Sequence, residues 1–211
     1  MWSTVLVTFA SPIFTDARVQ VYKAVVGTLS NNVFIVRCSA TGESVLIDAA
    51  NEAHRLLNAC RELSVKRVLT THGHWDHIGA APELHKAGYP VGIGAADAHM
   101  LDTHDFLIND GDIFNAGELR LRALHTPGHT PGSTCFALEG APLLFTGDTL
   151  FPGGPGATRF ADSSFDDIIE SIEVRLFGGF TDDTIVLPGH GDNTTIGIER
   201  PHLADWIGRG W

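Results

Sequence analysis

The sequence predicts an α/β fold, and three observations predict it. Short β-branched runs bounded by Gly, Asn or Pro fill the first fifty residues. From residue 51 the apolar spacing changes from two to three or four, and the two patterns then alternate along the chain. At 211 residues the chain can bury roughly 70% of its unfolded surface in one core. No composition shift marks a linker, so residues 1–211 are read as a single domain.

Val19 to Val26, Val33 to Arg37 and Ser44 to Ile47 read as strands because β-branched and aromatic residues suit a pleated surface. Thr28 to Asn32 between the first two is turn chemistry. Asn51 is the expected N-cap of a helix whose stripe is Ala53, Leu56, Leu57, Cys60 and Leu63. Arg67 to Thr70 is a short strand that runs into Thr71-His72-Gly73-His74-Trp75-Asp76-His77. Pro82 to Lys86 reads as a helix, Pro90 to Ile93 as a strand and Ala95 to Leu101 as a helix. Leu119 to Leu124, Ser133 to Leu138 and Leu143 to Phe145 are strands, and the Gly/Pro-rich segment Phe151 to Gly156 is a long loop. Ser164 to Phe177 is the clearest helix, with Phe165, Ile168, Ile169, Ile172 and Leu176 on one stripe and Asp166 and Asp167 in the first turn. Thr184 to Leu187 is the last strand and ends at Pro188-Gly189-His190-Gly191.

Composition narrows the function. Fourteen Lys and Arg against 25 Asp and Glu give a net charge of −11, with no basic run. Nucleic acid and anionic membrane surfaces are therefore not expected partners, and a small-molecule substrate is. No apolar run is long enough to span a bilayer. Met1 to Val7 lacks the positive charge of a secretory signal. Three cysteines, Cys38, Cys60 and Cys135, at unrelated spacings fit reduced thiols in the cytoplasm. Oligomeric state is not encoded in any of these features.

The 11 histidines are unevenly placed. His72, His74, Asp76 and His77 form an H-x-H-x-D-H phrase directly after a strand, where alternate side chains share a face. Imidazole and carboxylate are the donors a borderline cation such as zinc takes. Gly73 keeps bulk away between the first two donors. Three more strand ends have the same form: His129 in Thr-Pro-Gly-His-Thr-Pro-Gly, Asp148 in Thr-Gly-Asp-Thr, and His190 in Leu-Pro-Gly-His-Gly. Seven donors exceed one four-coordinate ion and suit two ions sharing a carboxylate.

The set resembles the metallo-β-lactamase superfamily, and its phrases T-H-x-H-x-D-H, T-P-G-H-T-P-G-S, T-G-D-T-L-F and L-P-G-H-G resemble its short glyoxalase II-like hydrolases. The resemblance implies an αββα four-layer sandwich with the metal site at one edge of two packed sheets. By position it implies that His72, His74 and His129 hold one ion, that Asp76, His77 and His190 hold a second, and that Asp148 bridges them. Zinc is the expected metal, with iron or manganese as alternatives. The implied reaction is hydrolysis of a thioester, such as an S-2-hydroxyacyl thiol, by hydroxide generated at the two cations, with Asp76 orienting the nucleophile. Asp48 and Thr71 would hold the ligating imidazoles from behind, as ligating histidines require. Arg159, displaced from where such relatives carry a cation, would meet an anionic group of the substrate.

Other readings compete with this one. A persulfide dioxygenase of the same fold, with one iron on two His and one Asp, is the alternative, although the Gly-Cys-Gly-Arg-Thr-like turn of such enzymes is absent. A β-lactamase-type hydrolase ranks third, because Asp148 stands where a lactamase would carry Cys. A purely structural zinc module would need only four ligands. His54, His85, His99, His104 and His202 read as ordinary histidines, and His125 as a packing residue with a possible place behind His129. Trp206 and Trp211 are expected to pin the C-terminal tail, and the cysteines to be buried thiols rather than nucleophiles.

Overall fold

Residue alternation along the strands builds the architecture, which the computed structural model describes for Phe9 and residues 11–210. Met1 to Val7 and Trp211 lie outside the described residues. One sheet has seven strands in sequence order: β1 (Phe14–Thr15), β2 (Val19–Val26), β3 (Asn31–Cys38), β4 (Ser44–Ile47), β5 (Val65–Leu69), β6 (Val91–Gly94) and β7 (Phe106–Ile108). The first four are antiparallel, and β4 to β7 are parallel. The second sheet contains β8 (Ile113–Ala116), β9 (Leu119–His125), β10 (Thr134–Leu138), β11 (Leu143–Gly147), β14 (Ile185–Pro188) and β15 (Thr194–Thr195), in the order β15-β14-β11-β10-β9-β8. Between β11 and β14 in sequence, β12 (Leu150–Phe151) and β13 (Gly154–Pro155) pair as a small separate ribbon.

Each sheet is buried on both faces. Val33 and Ile35 of β3 join a core with Leu56, Ala59 and Cys60 of helix α1 (Ala53–Glu62) and Leu84 of α3 (Ala81–Lys86). Their neighbours Phe34 and Val36 point the other way and meet Leu121, Phe136 and Phe145 of the second sheet. Phe136 and Leu138 thus face the first sheet, while Cys135 and Ala137 pack under Ile168, Ile172 and Leu176. The result is helix, sheet, sheet, helix: the four-layer αββα sandwich, its layers set by the period-two alternation of strands that are apolar on both faces.

Several local expectations are corrected. Asn51 is not the cap of α1. Glu52 occupies that position with a left-handed backbone (φ 53°) and no side-chain cap, and its carboxylate instead accepts the N–H of Gly27 and pairs with Arg55. The helix expected at Ala95 to Leu101 is present as a 3₁₀ helix over Ala95–Met100. Ser164 caps α4 (Phe165–Glu170) by accepting the N–H of Asp167, and the continuation Ser171–Phe177 widens into π turns. The expected loop at 151–156 contains the β12–β13 ribbon. The structure adds strands β1, β7, β8 and β15 and helices α2 (Trp75–Ile78), α5 (Ile196–Glu199) and α6 (Leu203–Arg209) to those the sequence predicts. All are short, and a two- to four-residue strand is defined by its hydrogen-bonded neighbour rather than by its own pattern. Trp206 of α6 is buried against Phe177. No helix among the described residues is long and apolar enough to cross a membrane.

Strand direction fixes where chemistry can collect. β4, β5 and β6 are parallel, so Asp48, Thr71-His72 and Asp97, which follow their C-terminal ends, share one edge of the first sheet. β9 and β11 both run antiparallel to β10, and β14 runs parallel to β11. His129, Asp148 and His190 therefore follow three C-terminal ends at one edge of the second sheet. Those edges are stitched together: Thr134 donates its N–H to the carbonyl of Thr71 at 2.8 Å, and Asn32 donates to that of Gly189 at 2.7 Å.

Candidate metal centre

Seven donor side chains from both sheets converge on this shared edge. His72, His74 and His129 offer one group of donor atoms within 4.8 Å of one another, Asp76, His77 and His190 a second, and His72, His77 and Asp148 a third that overlaps both. Asp148 stands between the two triads: one carboxylate oxygen lies 3.6 Å from both His129 Nε2 and His190 Nε2, the other 3.4 Å from His77 Nε2. His72, His77 and His129 are buried, while His74, Asp76, Asp148 and His190 are partly exposed.

Hydrogen-bond partners behind four of the imidazoles decide which nitrogen each of them turns inward. His129 Nδ1–H donates to the carbonyl of Ala157 at 2.8 Å, and His190 Nδ1–H to that of Leu29 at 3.0 Å. His77 Nδ1–H donates to Asp48 Oδ2 at 2.8 Å. Thr71 Oγ1 gives its one proton to the same Asp48 oxygen at 2.8 Å, so it accepts from His72 Nδ1 at 3.1 Å. One buried carboxylate thus holds an imidazole of each triad, directly for His77 and through Thr71 for His72. Asp48 reaches this position from a left-handed backbone (φ 61°), a conformation Asp tolerates better than most residues, and it also accepts the Thr71 N–H at 2.7 Å.

The inward atoms suit a cation. His72 Nε2 and Asp148 Oδ1 are buried and have no hydrogen-bond partner. His74 Nδ1 lies 2.9 Å from His129 Nε2, and His77 Nε2 lies 3.2 Å from His190 Nε2. Imidazole lone pairs at such separations repel unless a proton or a metal lies between them. Nitrogen and carboxylate donors at this spacing fit zinc, iron or manganese.

The local fields agree. Burial, then the neighbouring imidazoles of His77, His129, His74 and His190, hold His72 well below the ordinary histidine range, so it is neutral and its lone pair is free. Burial opposes a charge on His77 too, but the carboxylates of Asp148, Asp48 and Asp76 outweigh it and raise its pKa to about 9. Burial likewise raises Asp76, yet the hydrogen bond from His190, the charge of His77 and the Asn31 amide, which donates to Asp76 Oδ2 at 2.9 Å, pull it below the usual carboxylate range.

Two supporting residues carried no sequence signal. Asp97 is fully buried, and its carboxylate accepts the N–H of Gly73 at 2.8 Å, the hydroxyl of Thr130 at 2.6 Å and the N–H of Gly132 at 2.7 Å. It ties the loop of His72 and His74 to the loop of His129. Asn31 is buried beside Asp76 and bridges to His190 across the two sheets. Asp97 lies in a helix-like stretch among alanines, and Asn31 in a turn-like one; only their depth in the fold distinguishes them. Gly73 is packed from outside the donor group, since a Cβ there would lie 2.6 Å from Met100 Sδ. His125 stays outside the cluster: it is exposed and its Nε2 bonds the Pro131 carbonyl.

A cavity of about 600 Å³ opens over the cluster, and His74, Asp76, His129, Asp148 and His190 are among the residues that line it. Arg159 is on its wall. The β12–β13 ribbon lines it as well.

Residues 26–190 match the family model of the metallo-beta-lactamase superfamily. Hydroxyacylglutathione hydrolase GloC of Haemophilus influenzae is 35% identical over 182 residues, 74% of this chain and 84% of that protein. The structure of BLEG-1 B3 metallo-beta-lactamase is similar with a TM-score of 0.79 and 25% identity, covering 87% of this chain and 97% of that one. That of TTHA1623 in a di-iron-bound form is similar with a TM-score of 0.75 and 27% identity, covering 85% and 96%.

Proposed function

We propose that this chain, which belongs to the metallo-β-lactamase superfamily, is a dinuclear metallohydrolase that cleaves a thioester, of which S-2-hydroxyacyl thiols are the leading class. The observation that carries the reading is the pair of donor triads with Asp148 between them. The relative named hydroxyacylglutathione hydrolase supports the thioester as substrate. His72, His74 and His129 would hold one ion, Asp76, His77 and His190 the other, with Asp148 shared. Zinc is the proposed metal, and iron is supported by the similar di-iron structure.

Two divalent ions bound there would lower the pKa of water towards about 7 and polarise a carbonyl. The chain's own part is positioning. Asp48, Ala157 and Leu29 fix the ring orientations from behind, so the nitrogens need not reorganise when substrate arrives. Asp76, held ionised and anchored by Asn31, orients the attacking water. Arg159 on the cavity wall takes an anionic group of the substrate. The reaction adds water across the C–S bond: the acyl carbon gains the oxygen and leaves as a carboxylate, the sulfur leaves as a thiolate that takes up a proton, and one proton goes to solvent. A thiolate leaves readily, so no strong general acid is needed.

Cys38, Cys60 and Cys135 are free and buried, which supports a cytoplasmic setting, and burial supports a non-nucleophilic role for Cys60 and Cys135. Burial pushes the Cys60 thiol up to about 12 and that of Cys135 up to about 11.

Thiol release from a panel of S-acyl thiols by metal-replete protein, with His74→Ala as control, tests the reading. Release that disappears in the control supports it. No release from any member, with oxygen uptake on persulfide by iron-loaded protein, would replace it with the dioxygenase reading.

A further inference from the structure

Several large apolar side chains stand exposed around the cavity. Leu29, Trp75 and Phe160 are 50%, 66% and 42% exposed, and all three line it together with Phe151. Single exposed apolar residues are common, but several around one cavity mark a place where something apolar is bound. Their placement follows the donor triads. The ring of Phe160 lies 4.9 Å from that of His74 and 5.9 Å from that of His129, centroid to centroid, and Phe151 lies 6.4 Å from His190. Trp75 sits between the donors His74 and Asp76 in the chain. An aromatic ring therefore flanks each end of the cluster.

Charge is scarce by comparison. Among the described residues the one Lys or Arg lining the cavity is Arg159, whose guanidinium carbon is 5.9 Å from the Phe160 ring. Glutathione presents two carboxylates and an ammonium, and this wall offers one cation for them. A chain of methylenes or an aryl ring, in contrast, finds aromatic faces on both sides of the reacting centre.

Resting on the thioester reading above, we infer that the substrate is a thioester carrying an alkyl or aryl chain, seated between Phe160, Trp75 and Phe151. The chain belongs either to the acyl group or to the thiol, and the shared chemistry is an apolar segment of several carbons next to the scissile C–S bond.

Two series of thioesters distinguish the sources. In one, acetyl, butanoyl and hexanoyl groups are carried on N-acetylcysteamine; in the other, the acetyl group is carried on ethanethiol, butanethiol and hexanethiol. S-lactoylglutathione is the polar reference. In parallel, calorimetry measures binding of unreactive thioethers of the same lengths to metal-replete protein. In the series that matches the chain's source, kcat/KM should rise about fourfold per methylene, or on the order of 200-fold over four. Phe160→Ala should flatten that slope, and Phe160→Leu should retain most of it.

Hydrolysis that is flat with length in both series, or fastest with S-lactoylglutathione, would overturn the inference and leave thioester hydrolysis standing. Length-dependent thioether binding without turnover of any thioester would overturn the hydrolase reading and support the apolar seat. Neither turnover nor length dependence would overturn both.

Discussion

The carboxylate of Asp97 accepts the backbone N–H of Gly73 at 2.8 Å, so the turn between the donors His72 and His74 is fixed by a residue from the next strand's end. The same side chain reaches Thr130 and Gly132 beyond His129. Three donors from two sheets thereby depend on one buried acid that touches none of them.

Asp97→Ala should leave the backbone N–H groups of Gly73 and Gly132 without acceptors in the interior and the Thr130 hydroxyl with Ser133 Oγ as its remaining side-chain partner. A loss of about 3 kcal/mol of stability is expected, read from denaturant midpoints, together with weaker metal binding. Asp97→Asn should fall between, because its amide nitrogen would face an N–H. Wild-type stability and metal affinity in Asp97→Ala would refute the role.

Asp48 holds His77 directly and His72 through Thr71. Asp48→Ala should reduce metal affinity by roughly 10- to 100-fold, measured by competition with a chromophoric chelator. Both bound equivalents should weaken, since both triads lose an orienting partner; an effect on one alone would contradict the shared anchor.

Gly189 packs against the bridging position. A Cβ there would lie 2.3 Å from Asp148 Oδ1 and 2.7 Å from His77 Cε1. Gly189→Ala should displace Asp148 and lower the content of bound metal below two per chain by elemental analysis, and activity should fall with it. Two tightly bound ions in the variant would show that the contact relaxes without consequence.

Metal-stripped protein should be most stable near pH 6.5. The folded-state pKa of His77 is raised to about 9, because its carboxylate neighbours outweigh burial. Its contribution is therefore complete below the unfolded value of 6.5 and is lost as pH rises through about 9, on the order of 3 kcal/mol. His72 is shifted the opposite way by burial, so stability also falls as pH drops below 6.5 and the unfolded chain takes up the proton. Bound metal displaces the His77 proton and should flatten the alkaline side. Scanning calorimetry across pH with and without chelator reads both limbs. A stripped-protein Tm that climbs steadily from pH 6.5 to about 9 would contradict this.

The donor residues were legible because each closes a strand and enters a small-residue turn, a pattern local in the chain: His72-x-His74-x-Asp76-His77, His129, Asp148 and His190 all stand in such phrases. Both long helices and most central strands were equally visible, since Val19–Val26 or Phe165–Leu176 carry their period within themselves. Asp97 and Asn31 carried no such mark. A buried acid among alanines and an asparagine in a turn acquire their roles only when strand ends from two sheets meet, so that backbone N–H groups of Gly73 and Gly132, or the carboxylate of Asp76, need a partner away from water. The apolar collar of Trp75, Phe151 and Phe160 was hidden for the same reason. Trp75 lies within the donor phrase, Phe151 opens a Gly/Pro-rich loop and Phe160 follows Arg159, and only the packed sandwich brings them around one cavity. Local periodicity determined the elements and the donor types, whereas burial and strand direction, which are properties of the whole chain, decided what surrounds them.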